Sequence, residues 1–160
     1  MPIVRRSANP IERATYVQEF CSVSTSLPDF PTDPTFWRYR CSVDDVRTDR
    51  VYPVWFTDLN RKQSLNYNGD GATPILFGEI SAIPWLLQQR LREPRPGDPK
   101  KLIMEHCEHC GVRVVKDGCH RLLWHIHNSE DPEFEVIEVS GSDWSMAQFD
   151  MSTICERFRT

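Results

Sequence analysis

Apolar residues recur at two different spacings in the second half of the chain, and these spacings predict its strands and helices. The segments "VRVV" and "FEVIEV" are short apolar runs typical of strands. The second is apolar on both faces, which predicts an internal strand. Between them, Cys119 and the apolar residues three, four and seven positions after it form one face of a helix. We therefore predict a helix from Cys119 to about Asn128, entered through the turn "KDG".

The remaining segments after residue 74 give a strand and three helices. "PILFGEI" predicts a short strand, and Ser81 then caps a helix that has Pro84 in its first turn. "KKLIMEHCEHC" predicts a helix that ends at Gly111. Apolar residues from Trp144 to Phe158 recur at helical spacing and predict an amphipathic helix. The predicted order from residue 75 onward is thus β-α-α-β-α-β-α.

The first half of the chain is less regular. Asn9, Pro10 and Glu12 have the spacing of an N-cap, a first helical residue and a capping-box partner, which predicts a helix to about Phe20. "WRYRCSVDDV" and "RVYPVWF" predict two strands. Pro53 lies in the second of them and favours a position at the edge of a sheet, because proline cannot donate a ladder hydrogen bond.

The mixture of elements predicts an α+β fold, in which helices pack on a small mixed sheet. The change of pattern near residue 75 divides the chain in two. We predict that residues 1–74 form an N-terminal extension packed on the core and that residues 75–160 form the core domain.

Composition places the chain among globular proteins of the cytoplasm. Of its 160 residues 39% are hydrophobic and 26% are charged, which argues against global disorder. No apolar run approaches the roughly 18 residues that a membrane-spanning helix needs, and the N-terminus lacks the apolar region of a signal peptide. We therefore predict a cytoplasmic protein without membrane contact, whose six cysteines stay reduced.

Charge is distributed unevenly. Residues 101–160 contain 6 Lys and Arg against 11 Asp and Glu, whereas the first 100 residues contain 13 against 12. Nucleic-acid binding depends on cationic contacts to phosphate, so we do not expect this chain to bind DNA. A basic protein partner suits the acidic half better.

The turn from strand to helix at "KDGCHR" carries the chemistry that the sequence suggests. A helix N-terminus attracts anions, and Gly118 lets the backbone approach a ligand closely. Arg121 could donate two hydrogen bonds to a phosphate or carboxylate, and His120 could donate or transfer a proton. The helix dipole would also lower the pKa of a thiol at Cys119.

The stretch "VVKDGCHRLLWHI" followed by "FEVIEV" resembles the ParB/sulfiredoxin superfamily, over roughly residues 75–139. Gly118-Cys119-His120-Arg121 matches the Gly-Cys-His-Arg of sulfiredoxins letter for letter. The resemblance implies a ParB/sulfiredoxin-like core that binds ATP, ADP or CTP with Mg²⁺ at this turn. It also implies a nucleophilic thiol at Cys119 and phosphate contacts from His120 and Arg121.

Lys116 is the second cation that we expect to offset phosphate charge at the turn. Asp117 departs from the family, because sulfiredoxins have a glycine there and a carboxylate would repel phosphate. We nevertheless include Asp117 among the candidate nucleotide-binding residues, and it could instead cap the helix. Partition-type clamping of DNA is not expected, since 160 residues leave no room for the further domains that it needs.

Simpler structural interpretations remain open for the same residues. Cys119 lies on the apolar face of its helix, where a buried thiol is the alternative to a catalytic one. Arg121 could be a surface residue paired with Asp117 or Glu138. Cys107 and Cys110 form a C-x-x-C pair that could bind zinc, but the predicted helix gives them an apolar face, and we do not expect zinc.

Two functions follow from the sequence. The first is nucleotide or anion binding at Asp117–Arg121, extending to phosphotransfer. The alternative is a non-catalytic acidic protein, such as an immunity protein that inhibits a basic toxin or nuclease. The sequence leaves open whether the chain is an enzyme.

Overall fold

A computed structural model describes residues 6–22, 30, 33–53 and 75–141 of the chain. Its elements, in chain order, are β1 (Arg6–Pro10), α1 (Arg13–Cys21), β2 (Thr35–Ser42), α2 (Val43–Thr48), β3 (Val51–Pro53), a 3-10 helix (Phe77–Ala82), α3 (Pro84–Arg90), β4 (Lys101–Cys107), β5 (Arg113–Asp117), α4 (Cys119–His127) and β6 (Glu133–Gly141).

The six strands form one sheet in the order β1-β2-β6-β4-β5-β3. β4 is parallel to β6, and β3 is parallel to β5, whereas the other three pairs are antiparallel. The predicted α+β fold with a small mixed sheet is therefore confirmed. β6 lies inside the sheet and β3, which contains Pro53, lies at its edge, as predicted.

Residues 101–107 form strand β4, so the predicted helix that ended at Gly111 is wrong. Four consecutive residues from Leu102 to Glu105 are buried, because β4 lies between β6 and β5 and both of its faces are covered. The apolar run Leu102–Met104 is too short to distinguish a buried strand from a buried helix. Gly111, at φ +77°, instead belongs to the turn that connects β4 to the antiparallel strand β5.

Two predicted helix starts and one predicted strand are also wrong. Asn9 and Pro10 belong to β1, and α1 begins at Arg13 after Glu12. The segment "PILFGEI" contains a 3-10 helix rather than a strand. Pro84 lies in the first turn of α3 as predicted, but it is the first residue of that helix, and the N-cap position is Ile83 and not Ser81.

The predicted strand "WRYRCSVDDV" is correct only up to Ser42, where α2 begins. The Ser42 hydroxyl accepts a hydrogen bond from the Asp45 backbone, and the Asp45 carboxylate accepts one from the Ser42 backbone. This capping box starts a helix inside a segment whose composition suggests a strand. The helix predicted from Trp144 to Phe158 lies outside the described residues.

Alternate residues of the central strands supply two apolar cores, one on each face of the sheet. The larger core lies under α2, α3 and α4 and includes Leu102, Met104 and Val136. The smaller core lies under α1 and includes Ile103 and Ile137. Strands from before residue 54 and strands from after residue 100 belong to the same sheet. The division of the chain into an N-terminal extension and a core domain at residue 75 stays a prediction.

A buried ion pair crosses the sheet on the face that carries the larger core. The Arg113 Nε of β5 donates to Glu138 Oε1 of β6 at 2.7 Å, and the Tyr39 hydroxyl of β2 donates to the same oxygen at 2.8 Å. Asp49 Oδ2 lies 3.6 Å from Arg113 Nη1. The Glu138 side chain is fully buried and that of Arg113 is 6% exposed. This network connects strands β2, β6 and β5 through one carboxylate.

No α-helix in the described part of the chain has the length and hydropathy that crossing a bilayer requires.

Replacing Glu138 with Gln should lower the free energy of unfolding by about 3 kcal/mol, because Arg113 would keep its buried charge and lose its closest anion. Urea unfolding measures this change. Glu133→Gln is the matched control, since Glu133 lies in the same strand as Glu138 and pairs with Arg40 of β2 but is 59% exposed. The Glu133→Gln substitution should lower the free energy of unfolding by less than about 1 kcal/mol. Equal losses in the two variants would contradict a structural role for the buried pair.

Candidate functional site

Gly118 connects β5 directly to α4. It is the N-cap residue of the helix, has φ +97°, and has no side chain with which to cap the first turn. A Cβ atom at this position would lie 2.7 Å from both the Lys101 carbonyl oxygen and Leu102 Cδ2. Only glycine therefore allows the start of α4 to lie this close to β4. The helix predicted from Cys119 is confirmed.

Arg121, in the first turn of α4, is anchored on one side. Its Nη2 donates to the Lys101 carbonyl at 3.2 Å and to Asp117 Oδ2 at 3.1 Å. Its Nε is buried and has no hydrogen-bond partner among the described residues. A buried donor without an acceptor calls for a water molecule or an ion. Between the two partners considered from the sequence, Asp117 and Glu138, the structure pairs Arg121 with Asp117.

His120 is affected by the charges of three arginines. Its Nδ1 donates to the carbonyl of Arg90 at 2.8 Å, since a carbonyl can only accept. Desolvation of the half-buried ring is the largest effect and lowers the pKa of His120. The charges of Arg92, Arg90 and Arg121 lower this pKa further, while the hydrogen bond to Arg90 acts in the opposite direction. The charges that reach His120 at the start of α4 are thus positive, and Asp117 is bonded to one of their sources, Arg121.

The Cys119 thiol faces the interior. It is 6% exposed, packs in the larger core, and donates to the Val115 carbonyl at 3.3 Å. A buried, hydrogen-bonded thiol could attack a substrate only after leaving the core. This geometry corresponds to the structural alternative for Cys119 and offers nothing specific to catalysis.

Lys116 does not join the other candidate residues. Its side chain is 7% exposed, and its Nζ lies 3.5 Å from Glu105 Oε1 and 5.8 Å from the ring centroid of Phe20 in α1. Because α1 and α4 cover opposite faces of the sheet, Lys116 and Arg121 point to opposite sides. The turn therefore brings together Asp117, His120 and Arg121, without Lys116.

Cys107 and Cys110 lie at the end of β4 and in the following turn, not on a helix. The turn is closed by hydrogen bonds from the Gly111 amide to the Cys107 carbonyl and from the Cys107 amide to the Val112 carbonyl. The prediction that this cysteine pair lies on a helix is therefore wrong. That prediction was one reason for not expecting zinc. Within residues 6–22, 33–53 and 75–141, no group of three or more potential ligands could hold a metal ion.

Arg90 and Arg92 are the site residues that the sequence interpretation missed. They lie at the end of α3 and just beyond it, about 30 positions before His120, and the fold brings them to the start of α4. The only signal in the sequence is the basic segment "RLREPR" after a helix, which is ordinary for a helix C-terminus.

Gly118→Ala should lower the free energy of unfolding by at least about 2 kcal/mol more than Gly111→Ala does. Both glycines have a positive φ, so both variants carry the cost of that backbone conformation, about 1–2 kcal/mol. Only at Gly118 would the new methyl group overlap with the Lys101 carbonyl, whereas nothing lies within 4 Å at Gly111. Thermal and urea unfolding of the two variants give the comparison. Similar losses would show that α4 is free to move away from β4.

Comparison of the chain with protein-family models, with curated proteins and with solved structures finds no match.

Proposed function

We propose that this chain binds an anion, most specifically a phosphate group of a nucleotide, at the N-terminal end of α4. The observation that carries the proposal is that His120, in the first turn of a nine-residue helix, bonds the Arg90 carbonyl and lies in the positive field of Arg90, Arg92 and Arg121. The N-terminus of a helix is itself electropositive. A phosphate or carboxylate placed here would be attracted by the arginines and the helix together.

The charges at the start of α4 favour ligand binding over a purely structural role for the residues that carry them. A helix is stabilised by acidic residues in its first turn, but α4 has none there and has Arg121 instead. Asp117 is the carboxylate bonded to Arg121, and that bond uses Nη2. The buried Nε of Arg121 still has no acceptor among the described residues. The charges that act on the pKa of His120 all come from arginines, so the ring lies in a positive field.

The nucleotide part of the proposal rests on the resemblance to the ParB/sulfiredoxin superfamily. ATP, ADP or CTP would bring phosphates to Arg121, and Mg²⁺ would balance part of their charge. Asp117 would then compete with the ligand for Nη2 of Arg121, so binding requires that this pair opens. Phosphotransfer stays a prediction, and the buried thiol of Cys119 supports binding without a covalent step.

Replacing Arg121 with Gln should weaken nucleotide binding at least tenfold, because a charge-assisted hydrogen bond contributes about 1.5–3 kcal/mol. Isothermal titration calorimetry with ATP, ADP, CTP and pyrophosphate, with and without Mg²⁺, measures the effect. Arg47→Gln is the matched control, since Arg47 also bonds a nearby aspartate on a helix but lies away from this site. No heat with any of the four ligands, or equal losses in both variants, would refute the proposal.

Anion binding should become tighter as the pH falls below about 6.5. The pKa of His120 is lowered in the folded chain, so folding favours the neutral ring. The contribution of this group to the free energy of unfolding is therefore present above the ordinary pKa of 6.5 and is lost as the pH falls towards the lowered pKa. A bound anion favours the protonated ring, so binding takes up a proton.

Sulfate is the probe for this pH dependence, because it stays a dianion across the range whereas phosphate groups titrate near pH 6. Titrations at several pH values should show the increase in the original chain and a flat profile in His120→Gln. A flat profile in both chains would exclude His120 from the anion site.

A second candidate function is the binding of a basic protein, such as a toxin or nuclease that this chain would inhibit. Exposed carboxylates near the opposite end of α4 favour it. Glu130 is 51% exposed, and Asp131 is exposed beside it. A cationic surface would meet complementary charge there. Titration with purified basic nucleases at low and high salt tests it: inhibition that salt weakens is expected, and no binding at low salt would exclude it.

A further inference from the structure

A small cavity opens between α2 and the end of α4, away from the cationic start of that helix. Its volume is about 210 Å³. Drug-sized ligands occupy pockets of about 300–1,000 Å³, so this cavity has the scale of one side chain rather than of a nucleotide. It is lined by Val43, Asp44, Arg47, Ile126, Ser129, Glu130 and Asp131.

The lining is apolar on the inside and charged at the rim. Val43 and Ile126 are buried residues of the larger core, with 2% and 6% exposure. Asp44 and Arg47 neutralise each other, since Arg47 Nε and Nη2 donate to Asp44 Oδ1 at 3.0 and 2.5 Å. The remaining acidic groups of the lining are Glu130 and Asp131, which leave a negative balance.

Both of these acidic residues are held in place by the fold. Asp131 Oδ1 accepts a hydrogen bond from the Asp44 backbone at 2.8 Å, which ties the loop before β6 to the first turn of α2. The Glu130 backbone donates to the His125 carbonyl, and Glu130 Oε1 lies 3.3 Å from His125 Nδ1. The rim is therefore preorganised, which lowers the entropic cost of binding a cation.

We propose that this cavity receives an arginine side chain of a basic protein partner. The aliphatic part of the arginine would cover Val43 and Ile126, and its guanidinium would reach Glu130 and Asp131. A planar guanidinium can bond two carboxylates at once, which a lysine ammonium does less well. This inference rests on the second candidate function and names the side chain that it would recognise.

An acetylated and amidated pentapeptide with a central arginine, flanked by alanines, is a direct probe. Its neutral counterpart contains citrulline, which has nearly the same shape without the charge. Titration followed by ¹H–¹⁵N correlation spectra of the full chain should move the amide signals of Asp44, Ser129, Glu130 and Asp131. The citrulline peptide should bind at least tenfold more weakly.

The double variant Glu130→Gln/Asp131→Asn should lose at least tenfold in affinity for the arginine peptide. The amide that replaces the Asp131 carboxylate keeps a carbonyl oxygen for the Asp44 backbone, so the loop should keep its bond to α2. Glu133→Gln is the control, because Glu133 is an equally exposed neighbour that does not line the cavity. Unchanged thermal unfolding of the double variant would show that the loss does not come from misfolding.

Four results would overturn the inference: no localised shifts, equal binding of citrulline, equal binding of a lysine peptide, or displacement of the peptide by Ca²⁺ at millimolar concentration. Sulfate and nucleotide titrations of the double variant separate this site from the anion site, because they should be unaffected. If a basic protein binds the double variant as tightly as the original chain, the second function stands and only the cavity inference fails.

Discussion

The buried carboxylate of Glu138 constrains the rest of this fold. It accepts hydrogen bonds from Arg113 and Tyr39, and so joins strands that are far apart in the sequence. Burial is the largest single effect and lowers the pKa of Arg113, but the charge of Glu138, together with smaller contributions from Tyr39, from the hydrogen bond to Glu138 and from Asp49, outweighs burial and raises this pKa. Arg113 therefore stays charged inside the core, 2.7 Å from Glu138 Oε1. A one-residue slip of either strand would move its charge to the opposite face and leave the other unpaired.

The site depends on this register. With Arg113 held against Glu138, β5 ends at Asp117 beside the first residues of β4, and Gly118 must turn the chain into α4 within one residue. The close contact between Gly118 and Lys101 then carries Arg121 to the Lys101 carbonyl. The buried pair of Arg113 and Glu138 thus fixes the positions of the strands that place the first turn of α4.

Sequence patterns predicted the elements that are determined by neighbouring residues in the chain. They failed where residues distant in the sequence determine the structure. α4 was predictable because Gly118 and an apolar stripe mark its start and face. β4 was not predictable, because it is buried by two strands that are distant in the sequence. Its charged residue Glu105 is buried with Lys116 of β5 beside it. Arg90 reaches the site only through the fold. No spacing in the sequence links it to His120.

α4 separates two kinds of charge. Its first turn lies among arginines, and the loop beyond its last turn contributes Glu130 and Asp131. Each end thus gathers charge of the same sign as its half of the helix dipole, which weakens the helix. Asp117 offsets part of the positive charge at the start by pairing with Arg121. Selection for stability alone would favour the reverse arrangement. The observed distribution instead agrees with the two ligands that we propose, an anion at the first turn and a cationic side chain beyond the last.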